Sequence, residues 1–130
     1  MILALKTDAP IAEISFYDNE GTKLHHYSWQ AERRLARDLL EILTELLATV
    51  SANFSDLKGV IVFKGPGSFT GLRIGITVAN TIAYSQGIPI VGTLGERWIN
   101  EGLGRLARYE SDQIVLPHYG AEANISKPRM

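Results

Sequence analysis

The chain has 130 residues, a formal net charge of −1 and no cysteine. This length suggests one domain, and the near-neutral charge argues against a protein that grips RNA by itself, because phosphate binding depends on clustered Lys and Arg. The absence of cysteine excludes disulfides and thiolate metal sites and fits a cytoplasmic protein. No apolar run in the sequence is long enough to span a bilayer, so no membrane association is expected.

The first thirty residues predict an antiparallel meander. Met1–Leu5 is apolar enough for a central buried strand. The segments Ile11–Asp18 and Thr22–Trp29 carry aromatic and β-branched residues between turn signals, as strands do.

Glu32–Val50 has the clearest helical periodicity in the chain. The apolar stripe consists of Leu35, Leu39, Ile42, Leu43, Leu46 and Val50. With its flanking positions it spans an arc of about 160°, which is wider than the seam of a two-helix coiled coil. Two explanations stay open: packing against both a sheet and a second helix, or one edge of the arc that faces a partner.

A glycine-rich turn follows the apolar strand Gly59–Phe63. Its residues are Gly65, Pro66, Gly67, Ser68, Phe69, Thr70 and Gly71. A helix that starts after such a turn favours an anion, whereas the same glycines also suit close packing of the helix against the sheet. The turn is neither a P-loop nor a dinucleotide fingerprint, since Thr70 and Gly71 stand where the P-loop requires Gly-Lys.

The next segment, Ile74–Gln86, predicts a helix without a charged side chain. Gly71, Gly75, Ala79 and Ala83 recur every fourth residue and so line one face of it. An uncharged helix is normally buried on all sides, and a chain of this size has few elements with which to surround it. We therefore expect another polypeptide to cover part of this helix.

The rest of the chain completes a parallel βαβ unit and adds a third helix. Ile88–Val91 predicts a strand in a right-handed crossover parallel to Met1–Leu5, and Glu96–Arg108 predicts a helix. Ile114–Leu116 is expected to add a strand or to lie along the helices. His25 and His26 are neighbours on a strand and face opposite sides, so they cannot share a metal ion, and no catalytic constellation emerges.

The run GPGSFTGLRIG, with the strand before it and GIPIVGTL after it, resembles the N-terminal half of the TsaB (YeaZ) family of the tRNA threonylcarbamoyladenosine pathway. The resemblance covers roughly residues 1–100. It implies an α/β fold with a single actin-like (ASKHA, ribonuclease H-like) half-domain: a mixed five-stranded sheet with about three helices. Residues 1–113 would form this domain and residues 114–130 a C-terminal strand or tail, with most of the family's second subdomain missing.

The same resemblance implies a non-catalytic scaffold that forms a heterodimer with a TsaD-like threonylcarbamoyl transferase. A TsaE-like ATPase would join a larger complex, and tRNA would be contacted only through that complex. No cofactor or metal is expected on this chain alone, whereas ATP and Mg belong to the complex. The implied partner-binding residues lie on two helices: Leu35, Leu39, Leu43, Leu46, Leu72, Arg73, Ile76, Ala79, Asn80 and Ala83.

One departure from the family concerns the end of the first strand. Lys6-Thr7-Asp8 stands where TsaB-like sequences carry Asp-Thr-Ser, and Lys6 removes the natural ligand of a magnesium ion. Lys6 is then either a solvated strand-end lysine or a phosphate contact. Two other functions stay open: a nucleotide-binding enzyme that uses the glycine turn, and a homodimeric module outside tRNA modification that pairs through the same helices.

Overall fold

The computed structural model describes residues 1–67 and 69–119, without the side chain of Phe69. The strands are β1 (Ile2–Lys6), β2 (Ile11–Tyr17), β3 (Lys23–Gln30), β4 (Gly59–Phe63) and β5 (Ile90–Thr93), and the helices are α1 (Leu35–Thr49), α2 (Phe69–Gln86) and α3 (Trp98–Ala107). The strands form one sheet in the order β3-β2-β1-β4-β5. The predicted α/β class, with a mixed five-stranded sheet, is confirmed.

The central strand β1 is paired on both sides. It runs antiparallel to β2, with Ile2 opposite Tyr17, and parallel to β4, with Leu3 opposite Val60. The β2 strand continues into β3 as an antiparallel pair, and β4 pairs in parallel with β5. The predicted meander and the parallel βαβ unit are therefore both present.

Helix α3 covers one face of the sheet. A Cβ on Gly102 would lie 2.5 Å from Cγ2 of Ile61, so this glycine lets the helix approach the strand closely. The rings of Phe63 and Trp98 meet edge-on on the same face, with their centroids 5.8 Å apart. Side chains alternate along a strand, so Val60 and Val62 point to the opposite face.

Helices α1 and α2 lie on that opposite face. Helix α2 packs on β4, β1 and β5, and α1 contacts α2. Leu39 and Leu43 of α1 and Leu72 of α2 are completely buried in the same core as Leu3 and Leu5 of β1. The apolar stripe of α1 is thus accounted for by packing within the chain.

Two element boundaries differ from the prediction for reasons of local geometry. Residues Glu32–Arg34 form a 3-10 turn in which Glu32 has a φ of 48°, and the α-helix begins only at Leu35, because Arg34 (φ −98°, ψ 7°) lies outside the helical conformation. The last strand begins at Ile90 rather than Ile88. Gly87 has a φ of 65° after α2, and the Ile88 N–H still donates to the Ala83 carbonyl, so Ile88 belongs to the helix end.

The helices α2 and α3 also differ in extent from the predictions. Helix α2 begins at Phe69, before the predicted Ile74, and α3 covers Trp98–Ala107 rather than Glu96–Arg108. The division of the chain at residue 113 stays a prediction. The part of the predicted tail from residue 120 to residue 130 lies outside the described residues.

Residues 110–119, here called the edge segment, run along the outer edge of β5 without forming a regular strand. The Asp112 N–H donates to the Ile90 carbonyl at 2.7 Å, and the His118 N–H donates to the Lys64 carbonyl at 2.7 Å. Val115 is buried between these two points. Of the two expectations for Ile114–Leu116, the placement beside a helix is the one observed, because Asn80 of α2 holds Val115.

Candidate functional site

The glycine turn joins β4 to α2 at the carboxyl end of the parallel strands. Gly65 has a φ of 128°, a conformation that L side chains rarely adopt, and the Gly65–Pro66 peptide bond is cis. Since β1 is parallel to β4, the turn after β1 lies beside the glycine turn. Gly67 faces that neighbour, because a Cβ on Gly67 would lie 2.5 Å from Cβ of Asp8.

Thr7 lies in the turn after β1 and connects that turn to the start of α2. Its hydroxyl donates to the Gly71 carbonyl at 2.7 Å, and its side chain is almost fully buried. A Cβ on Gly75 would collide with the Thr7 side chain. The small residue at Gly75 of α2 therefore makes room for Thr7, which directly follows β1 of the same chain.

The edge segment closes the other side of the glycine turn. A Cβ on Gly65 would collide with the carbonyl oxygen of His118, whose N–H donates to the Lys64 carbonyl. The His118 backbone on one side and Asp8 on the other thus explain why Gly65 and Gly67 carry no side chain. Thr70 is exposed at the start of α2, and Ser68 lies outside the described residues. Anion binding at this turn stays a prediction.

Lys6 is ion-paired and mostly buried at the end of β1. Its Nζ lies 2.6 Å from Oδ1 of Asp8 and 4.6 Å from the centroid of the Phe63 ring. Both members of the ion pair are mostly buried, with side-chain exposures of 23% and 17%. The interpretation of Lys6 as a solvated strand-end lysine is therefore wrong, because the cation is held by a carboxylate and an aromatic face.

Arg105 of α3 fastens the start of the edge segment. Its guanidinium donates to Oδ1 of Asp112 at 2.6 Å and to Oε1 of Glu110 at 2.7 Å. The hydrogen bond from Arg105 lowers the pKa of Asp112, partial burial opposes that shift, and the Gly92 N–H adds a further lowering contact at 2.8 Å. Sequence spacing gave no signal for this cluster.

Asn80 makes the central attachment of the edge segment. Its Oδ1 accepts from the Val115 N–H at 2.9 Å, and its Nδ2 donates to the Val115 carbonyl at 3.0 Å. This residue was predicted to bind a partner, and in the described structure its amide is occupied by the chain itself. A separation of 35 residues between the two gives the sequence no local pattern that would reveal the contact.

Most of the predicted partner-binding residues lie inside the chain. The buried ones are Leu35, Leu39, Leu43, Leu46, Leu72, Ile76, Ala79 and Ala83. Arg73 is exposed, and Asn80 is half-buried. These eight apolar side chains cannot meet a partner without rearrangement, so only the outward faces of the same helices are available. Partner binding by these helices stays a prediction.

Helices α1 and α2 contact each other, and the outward face of each carries a large exposed apolar or aromatic side chain. The outward face of α2 also has few charges. On α1, Leu40 is 52% exposed, and on α2, Tyr84 is 91% exposed. Thr81 is exposed, and its hydroxyl donates to the Thr77 carbonyl, which leaves its methyl group for contact. We call Leu40, Arg73, Thr77, Thr81 and Tyr84 the outer helix surface.

The described residues hold no group of three or more His, Cys, Asp or Glu side chains placed to share a metal ion. His26 is engaged by the hydroxyl of Ser15, with 2.7 Å between Nδ1 and Oγ.

None of the helices in the described ranges is long and apolar enough to cross a membrane.

Comparison with known sequences gives a consistent result. Residues 29–93 match the model of the TsaD family, tRNA N6-adenosine threonylcarbamoyltransferase. The chain is 60% identical over 89 residues to the tRNA threonylcarbamoyladenosine biosynthesis protein TsaB of Bacillus subtilis (strain 168), covering 68% of this chain and 38% of that protein. It is 31% identical over 91 residues to TsaB of Escherichia coli (strain K12), covering 70% of this chain and 38% of that protein. The chain thus spans about two fifths of the length of these relatives.

Comparison with solved structures agrees with the sequence matches. YeaZ from Pseudomonas aeruginosa superimposes with a TM-score of 0.65 at 28% identity, over 72% of this chain and 43% of that one. The Thermus thermophilus RuvC structure in complex with a Holliday junction substrate gives a TM-score of 0.51 at 12% identity, over 94% of this chain and 86% of that one. At that identity the RuvC match shows a shared fold alone.

Proposed function

Because the chain belongs to the TsaB (YeaZ) branch of the family described by the threonylcarbamoyltransferase model, we propose that it acts in the formation of N6-threonylcarbamoyladenosine in tRNA. Its role there is that of a non-catalytic partner that binds and activates a TsaD-like transferase. The two proteins form a heterodimer in the cytoplasm.

The observation that carries the proposal is the outer helix surface. Tyr84 is almost fully exposed on a helix whose single charged residue is Arg73, and the exposed Leu40 lies on the helix that contacts it. A tyrosine exposed on an otherwise nearly uncharged helix is typical of an interface anchor, because it supplies a large apolar area at a low cost in conformational entropy. A pair of helices that presents such groups suits docking against helices of another protein.

A non-catalytic role is supported by what the polar groups near the glycine turn already do. The Asp8 carboxylate is paired with Lys6, the Thr7 hydroxyl donates to a backbone carbonyl, and the His118 backbone packs on Gly65. These groups are engaged in holding the turn. In the proposed assembly the transferase supplies the chemistry, ATP and Mg belong to the complex, a TsaE-like ATPase joins it, and tRNA is contacted through the complex.

The experiment mixes this protein with the TsaD-like protein of the same genome and measures mass by light scattering after size-exclusion chromatography. A stable heteromer larger than either component supports the proposal. The proposal fails if no heteromer forms even when ATP, Mg and a TsaE-like protein are added. A variant that alters the outer helix surface then separates specific docking from nonspecific association.

A further inference from the structure

The two edges of the sheet differ in whether their outer backbone groups are hydrogen-bonded. The Pro89 and Thr93 carbonyls accept hydrogen bonds from backbone N–H groups at Val60 and Lys64, so these two carbonyls face β4. By alternation along the strand, the backbone groups of Ile90 and Gly92 point away from β4, to the outer edge of the sheet. The edge segment and α3 satisfy all of these groups. Ser111 Oγ accepts from the Ile90 N–H, the Asp112 N–H donates to the Ile90 carbonyl, Asp112 Oδ2 accepts from the Gly92 N–H, and Arg105 donates to the Gly92 carbonyl. This edge is closed to another strand.

The β3 edge has no such cover among the described residues. The Ala31 N–H donates to the Pro10 carbonyl, so by the alternation of an antiparallel ladder the backbone groups of residues 25, 27 and 29 point to β2. Those of His26 and Ser28 therefore point outward, and no backbone hydrogen bond within the described residues engages them there. Beyond Lys23 the strand contains no Lys, Arg, acid or proline, the residues with which proteins usually protect an open edge.

We propose that β3 pairs antiparallel with β3 of a second copy of this chain, which extends the sheet across a two-fold axis. Antiparallel pairing of a strand with itself is self-complementary, so a two-fold axis closes the assembly at two copies. The axis passes at Tyr27, which is 41% exposed and stacks on Trp29 with 5.8 Å between ring centroids. In this register His26 of each copy lies opposite Ser28 of the other copy. Each of these two residue pairs exchanges two backbone hydrogen bonds, so about four form in all.

Charge supports a second copy as the occupant. Lys23 lies at the start of β3, and Glu32, which accepts from the Gln30 amide at 2.7 Å, follows its end. Antiparallel pairing about Tyr27 brings the Lys23 end of one copy to the Glu32 end of the other, and the contact occurs twice. The outer helix surface is on α1 and α2 and does not include β3. The dimer is therefore independent of the partner proposed above, and β3 pairing joins two of the proposed heterodimers into one assembly.

Because the chain has no cysteine, a single introduced cysteine is the only thiol that can form a disulfide in a cross-linking test. Tyr27→Cys places two thiols opposite each other at a position whose backbone groups point away from the dimer partner, where side chains approach most closely. Thr44→Cys, on an exposed position of α1, is the control, and Thr81→Cys reports a dimer through the helices. Each variant is oxidised at micromolar concentration, and disulfide-linked dimer is followed on non-reducing gels, with sedimentation of the unmodified protein alongside.

We expect the unmodified protein to sediment as a dimer and Tyr27→Cys to cross-link at least tenfold faster than Thr44→Cys. A monomer at about 100 µM, or cross-linking of Tyr27→Cys no faster than the control, overturns the proposal, as does fastest cross-linking through Thr81→Cys. Charge reversal provides a second measurement that leaves the strand intact. Lys23→Glu should raise the dimer Kd at least tenfold, and Lys23→Glu with Glu32→Lys should restore it; an unchanged Kd in the single variant counts against the pairing.

Discussion

The side chain of Asn80 pairs with the backbone of Val115 as a neighbouring strand would. Its amide accepts the Val115 N–H and donates to the Val115 carbonyl, at 2.9 and 3.0 Å. With the backbone bond from His118 to Lys64 and the ion pairs of Arg105, it holds the edge segment along β5 and the glycine turn. The covered edge of the sheet and the packed turn thus depend on a few polar side chains.

Asn80→Ala should lower the free energy of unfolding by about 1–3 kcal/mol, because it leaves the N–H and carbonyl of the buried Val115 without their partners. Urea unfolding measures the loss, and limited proteolysis should show earlier cleavage within residues 110–119. Asn100→Ala, at an exposed position of α3, is the matched control and should stay within about 0.5 kcal/mol of the unmodified protein. Equal stability of Asn80→Ala and the control would contradict the role given to Asn80.

Gly75→Ala and Gly104→Ala should have opposite effects on stability. A Cβ at Gly75 collides with the buried side chain of Thr7, so the helix must shift away from Thr7 at a cost of about 1–3 kcal/mol. At Gly104 the nearest atom is Nη1 of the flexible Arg108, at 3.4 Å, and alanine should add up to about 1 kcal/mol through its helix propensity. Thermal unfolding of the two variants measures the contrast, and a stabilising Gly75→Ala would show that the contact with Thr7 is loose.

The pH dependence of stability should contain a contribution from Asp112. The hydrogen bond from Arg105 lowers its pKa below the ordinary value of 3.8, so folding favours the charged form. That contribution is fully present above pH 3.8 and is lost as the pH falls through the lower pKa of the folded state. Asp112→Asn should therefore be less stable by about 1.5–3 kcal/mol at neutral pH, with a deficit that shrinks as the medium is acidified.

Urea unfolding between pH 7 and pH 3 tests this dependence. Glu101→Gln, at an exposed position of α3, controls for the removal of a negative charge and should show no comparable change. A deficit of Asp112→Asn that stays constant over this range would mean that the ion pair with Arg105 is not its source.

Periodicity and turn chemistry predicted most of the fold. The strand Gly59–Phe63 was predicted with the bounds observed, and the α1 stripe indicated the face that is buried. The same pattern was insufficient to tell a core from an interface, because an apolar stripe looks alike whether a sheet or a partner covers it. The contacts that fasten the edge segment join residues distant in sequence through polar groups in irregular backbone, which leaves no period to detect. Asn80 illustrates the limit, since its amide pairs with a backbone 35 residues away.

Thr81→Arg should weaken binding to the TsaD-like protein at least tenfold, which corresponds to about 1.4 kcal/mol, if the outer helix surface docks on it. Thr81 is exposed, so the arginine is accommodated in the free protein, whereas Ala79 is fully buried and an arginine there would disrupt the core instead. Asn100→Arg places the same charge on the helix at the other face of the sheet and should leave binding unchanged. Titration calorimetry gives both affinities, and unfolding curves confirm that both variants are folded. Undiminished binding by Thr81→Arg, or a greater loss in Asn100→Arg, would move the interface away from α1 and α2.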